Sequence, residues 1–193
     1  MKLKVNKEKF NRKKEKQLAR KDRSDKGEWD KAIVPLCDKI NNKKEYYTTS
    51  SCAGRIILAK GLKKKQSNIF LYRTHEHIGI EELKKALGEG GKEYEDLVYF
   101  KQSPAILHVA CQDLGAASEL LQKARGSGWK RSGLMTMKNR IILELMSTEK
   151  MELPIMDNGE VLVDKEFLEL LIRESNDKLE RTREKIKRFE GKI

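Results

Sequence analysis

Short apolar runs occur in pairs along this chain, and segments of helical periodicity separate the pairs. The runs are Arg55 to Lys60 with Asn68 to Arg73, Leu97 to Lys101 with Ala105 to Cys111, and Gly133 to Met137 with Arg140 to Met146. Runs of this length between turn residues are typical of strands, and strands in pairs with helices between them are typical of α+β folds. We therefore expect an α+β fold with a mixed or antiparallel sheet, packed helices and no doubly wound parallel sheet.

The helical segments differ in character. Residues 6–22 predict a basic helix with few apolar anchors, and Trp29 to Ile40 predict a second helix that begins or kinks near Pro35. A short helix should end at Gly88, and Asp113 should cap a helix that runs to about Arg125. Asp164 should cap a long C-terminal helix over 165–190. We expect a basic arm over residues 1–24 and a single α+β domain over 25–193.

The charge balance favours a polyanionic partner. The chain has 42 Lys and Arg against 30 Asp and Glu, a formal net charge of +12, and residues 1–31 alone carry thirteen basic and six acidic side chains. Nucleic acid is the commonest partner of such a protein. An ion-paired thermophilic surface would explain the density of charge but not its sign.

Cysteine usage and hydropathy restrict the setting. No apolar run reaches the ~18 residues of a membrane span, and the basic amino terminus lacks the apolar core of a secretory signal. Three scattered cysteines form neither a disulfide framework nor a C-x-x-C pair, so we expect no metal site and a reducing, cytoplasmic environment.

Polar side chains are densest between Tyr46 and Arg55, where the sequence reads YYTTSSCAGR. Ser and Thr oxygens compete for nearby backbone amides, which predicts a loop here. Gly54 permits a tight turn or close approach to a ligand, and Arg55 is suited to a carboxylate or phosphate. Both an anion-holding loop and a simple turn before a strand agree with this pattern.

Other candidate residues have two readings each. Gly88 to Gly91 follow a helical pattern, so a helix stop fits better than a dinucleotide-binding turn. Cys52 has no histidine near it in sequence, which makes covalent chemistry a minor hypothesis. His75 and His77 are either a metal pair or polar residues at the exit of a strand.

Two further candidates lie within predicted strands. His108 is mid-strand, where a half-buried, hydrogen-bonded histidine is the more common reading. Glu144 interrupts an apolar strand; it needs a partner if it is buried, and alternation along the strand would equally let it face solvent. Arg131-Ser132-Gly133 forms a second small polar break before a strand.

These residues match a known family. The chain resembles the tRNA wybutosine-synthesising protein 3 family, whose fingerprint has the form [ST]-x-S-S-C-x-G-R and stands here as residues 48–55, TTSSCAGR. The resemblance covers nearly the whole chain, including the segments at 22–29, 40–41, 105–109, 132–133, 144 and 153–155. In the family's W-x-x-x-x-H motif the histidine is His75, but Phe70 occupies the tryptophan position.

The resemblance implies an S-adenosylmethionine-dependent tRNA methyltransferase of EC class 2.1.1, from an archaeon, with a compact non-Rossmann α+β fold. The family methylates the N-4 ring nitrogen of the demethylwyosine intermediate that carries an aminocarboxypropyl chain, at position 37 of tRNA-Phe. The implied partner is therefore the anticodon loop. A monomer without a membrane partner is favoured. A non-catalytic RNA-binding accessory protein is the main alternative, and a structural protein using the C-terminal helix as a coil is a third.

Roles for individual residues follow from this resemblance. We expect His75 to act as the base, with His108 as second choice, and Arg55 to hold a carboxylate. The remaining expected contacts are to the cofactor from Ser50, Ser51, Gly54, His108, Ser132 and Gly133, and to the substrate from Thr48, Thr49, Cys52, Glu144, Lys63, Lys64 and Lys65.

Overall fold

The computed structural model describes residues 7–19, 30–61, 69–90 and 94–193 of the chain. These residues form five helices: α1 (Lys7–Leu18), α2 (Val34–Asn42), α3 (Ile80–Gly90), α4 (Leu114–Arg125) and α5 (Lys165–Glu190). They also form nine strands: β1 (Tyr46–Cys52), β2 (Arg55–Lys60), β3 (Phe70–Thr74), β4 (Val98–Ser103), β5 (Ile106–Cys111), β6 (Gly133–Thr136), β7 (Ile141–Met146), β8 (Met151–Asp157) and β9 (Glu160–Val161). Every strand pair among them is antiparallel, which confirms the predicted α+β class.

The chain divides into two compact units, each assembled from separated segments. Unit 1 comprises Met1–Ala53, Ala105–Thr148 and Arg183–Ile193, and unit 2 comprises Gly54–Pro104 and Glu149–Thr182. The predicted boundary at residue 24 lies outside the described residues and stays a prediction, as does the single domain over 25–193. Among the described residues, no helix combines the length and apolarity required to cross a membrane.

Unit 1 is built on a four-stranded sheet in the order β1-β5-β7-β6. One face of this sheet carries the alternate apolar residues of β5 and β7, which pack in one core with α2, α4 and the end of α5. Pro35 occupies the first turn of α2, as predicted, and Cys37 is fully buried in this core. Asp113 caps α4, because its Oδ1 accepts the Ala116 amide at 2.8 Å.

The other face of the unit 1 sheet is partly covered by α1. Phe10 is buried and packs against Tyr47, Ala110 and Ile142, with its ring centroid 5.2 Å from that of Tyr47. The structure therefore confirms a helix in the basic segment, and it shows that one aromatic side chain attaches this helix to the sheet.

Unit 2 is built on a five-stranded sheet in the order β3-β2-β4-β8-β9. The β2–β3 hairpin is as predicted, although its tip, with Lys63, Lys64 and Lys65, lies outside the described residues. The α3 and α5 helices supply Leu83, Leu87, Leu168, Leu171 and Leu179 to the core of this unit. The apolar positions of α5 thus pack within this chain, Leu179 in the core of unit 2 and Ile186 in that of unit 1.

Two sequence-based expectations were wrong, and one strand was missed. The Ser/Thr segment is strand β1 rather than a loop, because pairing with β5 overrides the local preference and a bulge between Thr48 and Ser50 absorbs the irregularity. Helix α3 continues past Gly88 to Gly90. Strand β8, which pairs Pro154 with Tyr99, was not predicted from the apolar pattern.

Candidate functional site

Four candidate residues form a row across the unit 1 sheet. Ser50 of β1 is opposite His108 of β5, His108 is opposite Glu144 of β7, and Glu144 is opposite Gly133 of β6. Directly opposed residues on antiparallel strands share a face of the sheet. The register therefore brings together residues up to 94 positions apart, on the face that α1 partly covers; we call these four residues the polar row.

A hydrogen bond joins the two ionisable members of the polar row. His108 Nε2 lies 3.0 Å from Glu144 Oε2, and their side chains are 23% and 38% exposed. Because a carboxylate only accepts, Nε2 donates, and the neutral imidazole then has its lone pair on Nδ1. Glu144 thus has the partner that its half-buried position requires, and His108 is a half-buried, hydrogen-bonded histidine.

The alternation of β1 divides the fingerprint residues between the two faces of the sheet. Ser50 and Cys52 lie opposite His108 and Ile106, on the face of the polar row. Ser51 lies opposite Leu107 and forms a hydrogen bond with the thiol of Cys37. Burial raises the pKa of this thiol to about 12. The hydroxyls of this segment therefore point in different directions.

Both threonines of the fingerprint have hydrogen bonds within unit 1. The Thr48 amide donates to Asn41 Oδ1 at 2.8 Å, and its hydroxyl lies 3.0 Å from Asn41 Nδ2. Thr49 Oγ1, at the bulge, donates to the His108 carbonyl at 3.3 Å. These contacts hold β1 against α2 on one side and β5 on the other.

Asp30 is a residue that sequence reasoning missed. Its Oδ2 accepts the Ala53 amide at 2.6 Å and so fixes the backbone at the end of β1. The next residue, Gly54, has a φ of 93°, a left-handed conformation that residues with a side chain rarely adopt. No local pattern signals the Asp30 contact, because 23 residues separate the partners.

In unit 2, Arg55 is packed against an aromatic ring. Its guanidinium carbon lies 5.3 Å from the Phe70 ring centroid, and the Arg73 guanidinium carbon lies 5.7 Å from the same ring. Phe70 thus offers both guanidiniums the aromatic face that a cation–π contact needs. Arg55 is half-buried, so its planar group is held in a restricted orientation.

His75 and His77 have different partners within unit 2. His75 Nδ1 lies 2.8 Å from the Gly54 carbonyl oxygen. A carbonyl only accepts, so Nδ1 carries the proton and the neutral ring has its lone pair on Nε2. His77 Nε2 lies 2.8 Å from Glu180 Oε1. His75 is at the exit of β3, as the sequence indicated.

Ser132 has a structural position beside the polar row. Its buried Oγ donates to the Trp129 carbonyl at 2.5 Å and accepts the Met146 amide at 3.0 Å. The Arg125 guanidinium donates to the Ser132 carbonyl at 2.9 Å. These bonds hold the start of β6, and hence Gly133, against β7; a Cβ built on Gly133 would meet no atom within 4 Å.

Comparison with known proteins identifies relatives over the whole length of this fold. A curated protein of Methanocaldococcus jannaschii named tRNA(Phe) 7-((3-amino-3-carboxypropyl)-4-demethylwyosine(37)-N(4))-methyltransferase is 36% identical over 168 residues, 85% of this chain and 86% of that one. The tRNA wybutosine-synthesizing protein 3 homolog of Mus musculus is 33% identical over 93% of this chain and 71% of its own length.

A solved structure, that of the PH1069 protein from Pyrococcus horikoshii, is similar with a TM-score of 0.88 at 31% identity, over 99% of this chain and 97% of that one. The family model described as Methyltransferase TYW3 matches residues 6–193, which include the fingerprint and the polar row. The chain therefore belongs to the TYW3 methyltransferase family.

Proposed function

We propose that this protein transfers a methyl group from S-adenosylmethionine to the N-4 ring nitrogen of the 7-aminocarboxypropyl-demethylwyosine intermediate at position 37 of tRNA-Phe. The observation that carries the proposal is the family match over residues 6–193, together with relatives whose names give this reaction. The protein would act as a monomer on the anticodon loop in the cytoplasm. The family assignment favours this enzyme over a non-catalytic RNA-binding accessory protein.

The side chains of the polar row fit a nucleoside-bearing methyl donor. The Ser50 hydroxyl can donate or accept a hydrogen bond, and His108 Nδ1 can accept one from a ribose hydroxyl or an ammonium group. The open space at Gly133 leaves this end of the row accessible. We assign Ser50, Ser51, Gly54, His108, Ser132 and Gly133 to cofactor binding, with Ser51 and Ser132 acting through the backbone that they position. When bound, S-adenosylmethionine supplies an electrophilic methyl group on a sulfonium.

Arg55 is assigned to a carboxylate, either that of the cofactor or that of the aminocarboxypropyl chain. Its packing against Phe70 restricts the guanidinium, which lowers the entropy lost on binding. The other proposed substrate contacts are Thr48, Thr49, Cys52, Glu144, Lys63, Lys64 and Lys65. Thr48 and Thr49 would position β1, because their hydroxyls already bond Asn41 and the His108 carbonyl.

His75 is assigned as the base that removes the proton from the ring nitrogen. The bond from Nδ1 to the Gly54 carbonyl selects the tautomer with its lone pair on Nε2, which is the form that accepts a proton. The imidazolium formed afterwards keeps that bond. His108 is the second choice, since its bond to Glu144 likewise selects one tautomer, with the lone pair on Nδ1.

The reaction is tested by mass spectrometry of tRNA-Phe that carries the demethylwyosine intermediate, after incubation with the protein and labelled S-adenosylmethionine. We expect one labelled methyl group on the tricyclic base. Binding of the tRNA without any gain in mass would favour the accessory protein and refute the proposed reaction.

The role of Arg55 is tested by Arg55→Ala, with Arg73→Ala as the matched control because both guanidiniums contact the Phe70 ring. We expect Arg55→Ala alone to weaken binding of the cofactor or of the modified tRNA by about tenfold or more, as for loss of a charge-assisted hydrogen bond. Equal effects of the two substitutions would show that Arg55 acts only through the packing of the ring.

The role of His75 is tested by the pH dependence of methyl transfer in His75→Ala, with His77→Ala as control. We expect the acid limb of the rate profile to disappear only in the His75 variant, with a rate loss of about 10²–10⁴-fold. A normal rate in His75→Ala and loss of the acid limb in His108→Ala would transfer the base role to His108.

A further inference from the structure

Helix α1 is a strongly basic element that is attached to the sheet by a single apolar side chain. Its twelve residues, KEKFNRKKEKQL, include six basic and two acidic side chains. Phe10 is 4% exposed, against Tyr47, Ala110 and Ile142. A helix with so little apolar surface gains little stability from packing.

Cations of α1 converge with a cation from the turn between β6 and β7. Lys9, Lys13 and Arg140 line one concavity with Phe10 and Asn139, and no carboxylate is among the described residues that line it. The Lys13 ammonium lies 3.5 Å from the Asn139 carbonyl oxygen, at the limit for a hydrogen bond. Partial burial and then the nearby charges of Lys9 and Arg140 lower the pKa of Lys13.

This concavity is too small for a cofactor. It encloses about 20 Å³, far below the ~300–1,000 Å³ that small-molecule sites occupy. Three like charges that repel one another on an open surface are instead suited to binding a polyanion. Each cation can pair with a phosphate, and the counterions condensed on that phosphate are then released. We call Lys9, Lys13 and Arg140 the α1 basic cluster.

The strand register fixes the position of this cluster relative to the polar row. Tyr47, Ala110 and Ile142 are directly opposite one another on β1, β5 and β7, and Phe10 covers them. Ala110 and Ile142 are each two residues from His108 and Glu144 along the same strands. At about 3.3 Å per residue, the two rows are roughly 7 Å apart on the same face of the sheet.

We propose that the α1 basic cluster is the surface on which this protein holds the tRNA sugar–phosphate backbone, beside the polar row and on the same face of the unit 1 sheet. The inference rests on the proposed function, because it takes tRNA as the polyanion. It gives the basic amino-terminal segment a defined location, with Phe10 as its anchor and Arg140 as a partner that is 127 residues away from Lys13.

The test is the salt dependence of tRNA-Phe binding by the full chain, measured by fluorescence anisotropy between about 50 and 200 mM salt. The variant is Lys9→Gln, Lys13→Gln and Arg140→Gln combined. The control removes the same charge from exposed positions of α5 through Lys165→Gln, Lys187→Gln and Arg188→Gln. We expect the slope of log K against log salt to fall by about 0.7–0.9 for each lost contact, roughly 2–3 in total, in the cluster variant only.

A second variant, Phe10→Ala, keeps every charge but removes the anchor. We expect its slope to fall by roughly 1.4–1.8, because Lys9 and Lys13 leave the surface with α1 while Arg140 stays. The rest of unit 1 should remain folded, as checked by protection of the buried cysteines from alkylation. A slope that is unchanged in the cluster variant, or that falls equally in the α5 control, overturns the proposal.

The outcomes also separate this inference from the proposed reaction. Methyl transfer by the wild-type protein together with an unchanged slope in the cluster variant refutes the surface and leaves the reaction intact. A reduced slope in the cluster variant with no methyl transfer by the wild-type protein supports the surface and refutes the reaction.

Discussion

Replacing Ser132 by alanine distinguishes a residue that binds the cofactor from one that only positions its neighbours. The change removes one oxygen that accepts the Met146 amide and donates to the Trp129 carbonyl. Ser132 is 7% exposed, so water cannot fully replace both bonds. A buried polar group left without a partner costs about 1–3 kcal/mol, and we expect a loss of about 2–4 kcal/mol in the free energy of unfolding.

This loss should be readily measurable by thermal denaturation. For a protein of this size, 1 kcal/mol lowers Tm by about 2–4 °C, so Ser132→Ala should melt roughly 5–15 °C below the wild type. Ser118→Ala, on the exposed face of α4, is the control and should change the stability by less than about 0.5 kcal/mol.

An unchanged Tm in Ser132→Ala would show that the two hydrogen bonds of its Oγ do not stabilise the fold. If the affinity for S-adenosylmethionine also fell, Ser132 would bind the cofactor directly rather than hold the start of β6. If Tm falls as expected, the cofactor affinity measured well below the melting range shows how much the position of Gly133 contributes.

Three further predictions follow from burial and charge. Iodoacetamide at mildly alkaline pH should modify Cys52 alone in the native protein, because burial raises the pKa of both Cys37 and Cys111 to about 12; peptide mass mapping that finds either buried thiol modified would contradict this core. Hydrogen bonds from two lysines lower the pKa of Glu152. The ionised carboxylate therefore stabilises the folded protein above the unfolded-state pKa of 4.5, and this stabilisation is lost as the pH falls through the lower folded-state pKa. The free energy of unfolding of Glu152→Gln should accordingly lie below the wild-type value by at most about 1 kcal/mol near neutral pH and converge with it in acid, and a gap that persists in acid would exclude the linkage. Tyr47→Phe should be neutral or stabilising by up to about 1–2 kcal/mol in urea denaturation, because the buried hydroxyl has no hydrogen-bond partner among the described residues; a clear loss of stability would reveal one.

The sequence predicted the helices best, where a capping residue or proline and the spacing of the apolar residues indicated the same helix. Helix α5 begins and ends where its cap and its apolar spacing predict, and Asp113 and Pro35 mark the starts of α4 and α2 as expected. These features depend on residues within one or two turns of each other. They are therefore visible in a single sequence.

The features that the sequence did not predict depend on contacts between distant segments of the chain. Strand β1 looked like a loop because its hydroxyls favour local bonds, but its ladder with β5 is formed by residues about 60 positions away. The His108–Glu144 bond and the Asp30–Ala53 bond likewise depend on register and on distant segments. All four members of the polar row were candidates from the sequence, but only the strand pairing shows that they are neighbours.

The division of unit 1 among three segments has a consequence for its synthesis. Residues 183–193 supply Ile186 and Phe189 to its core, and Phe189 packs 5.5 Å from Trp129, whose indole donates to the Lys185 carbonyl. These residues leave the ribosome after every other part of the unit. The sheet that carries the fingerprint therefore cannot complete its core until residues 183–193 have been made, and its last packing step must follow emergence of the end of α5. A ribosome-bound chain truncated before Arg183 would expose Trp129 and be a natural substrate for chaperones.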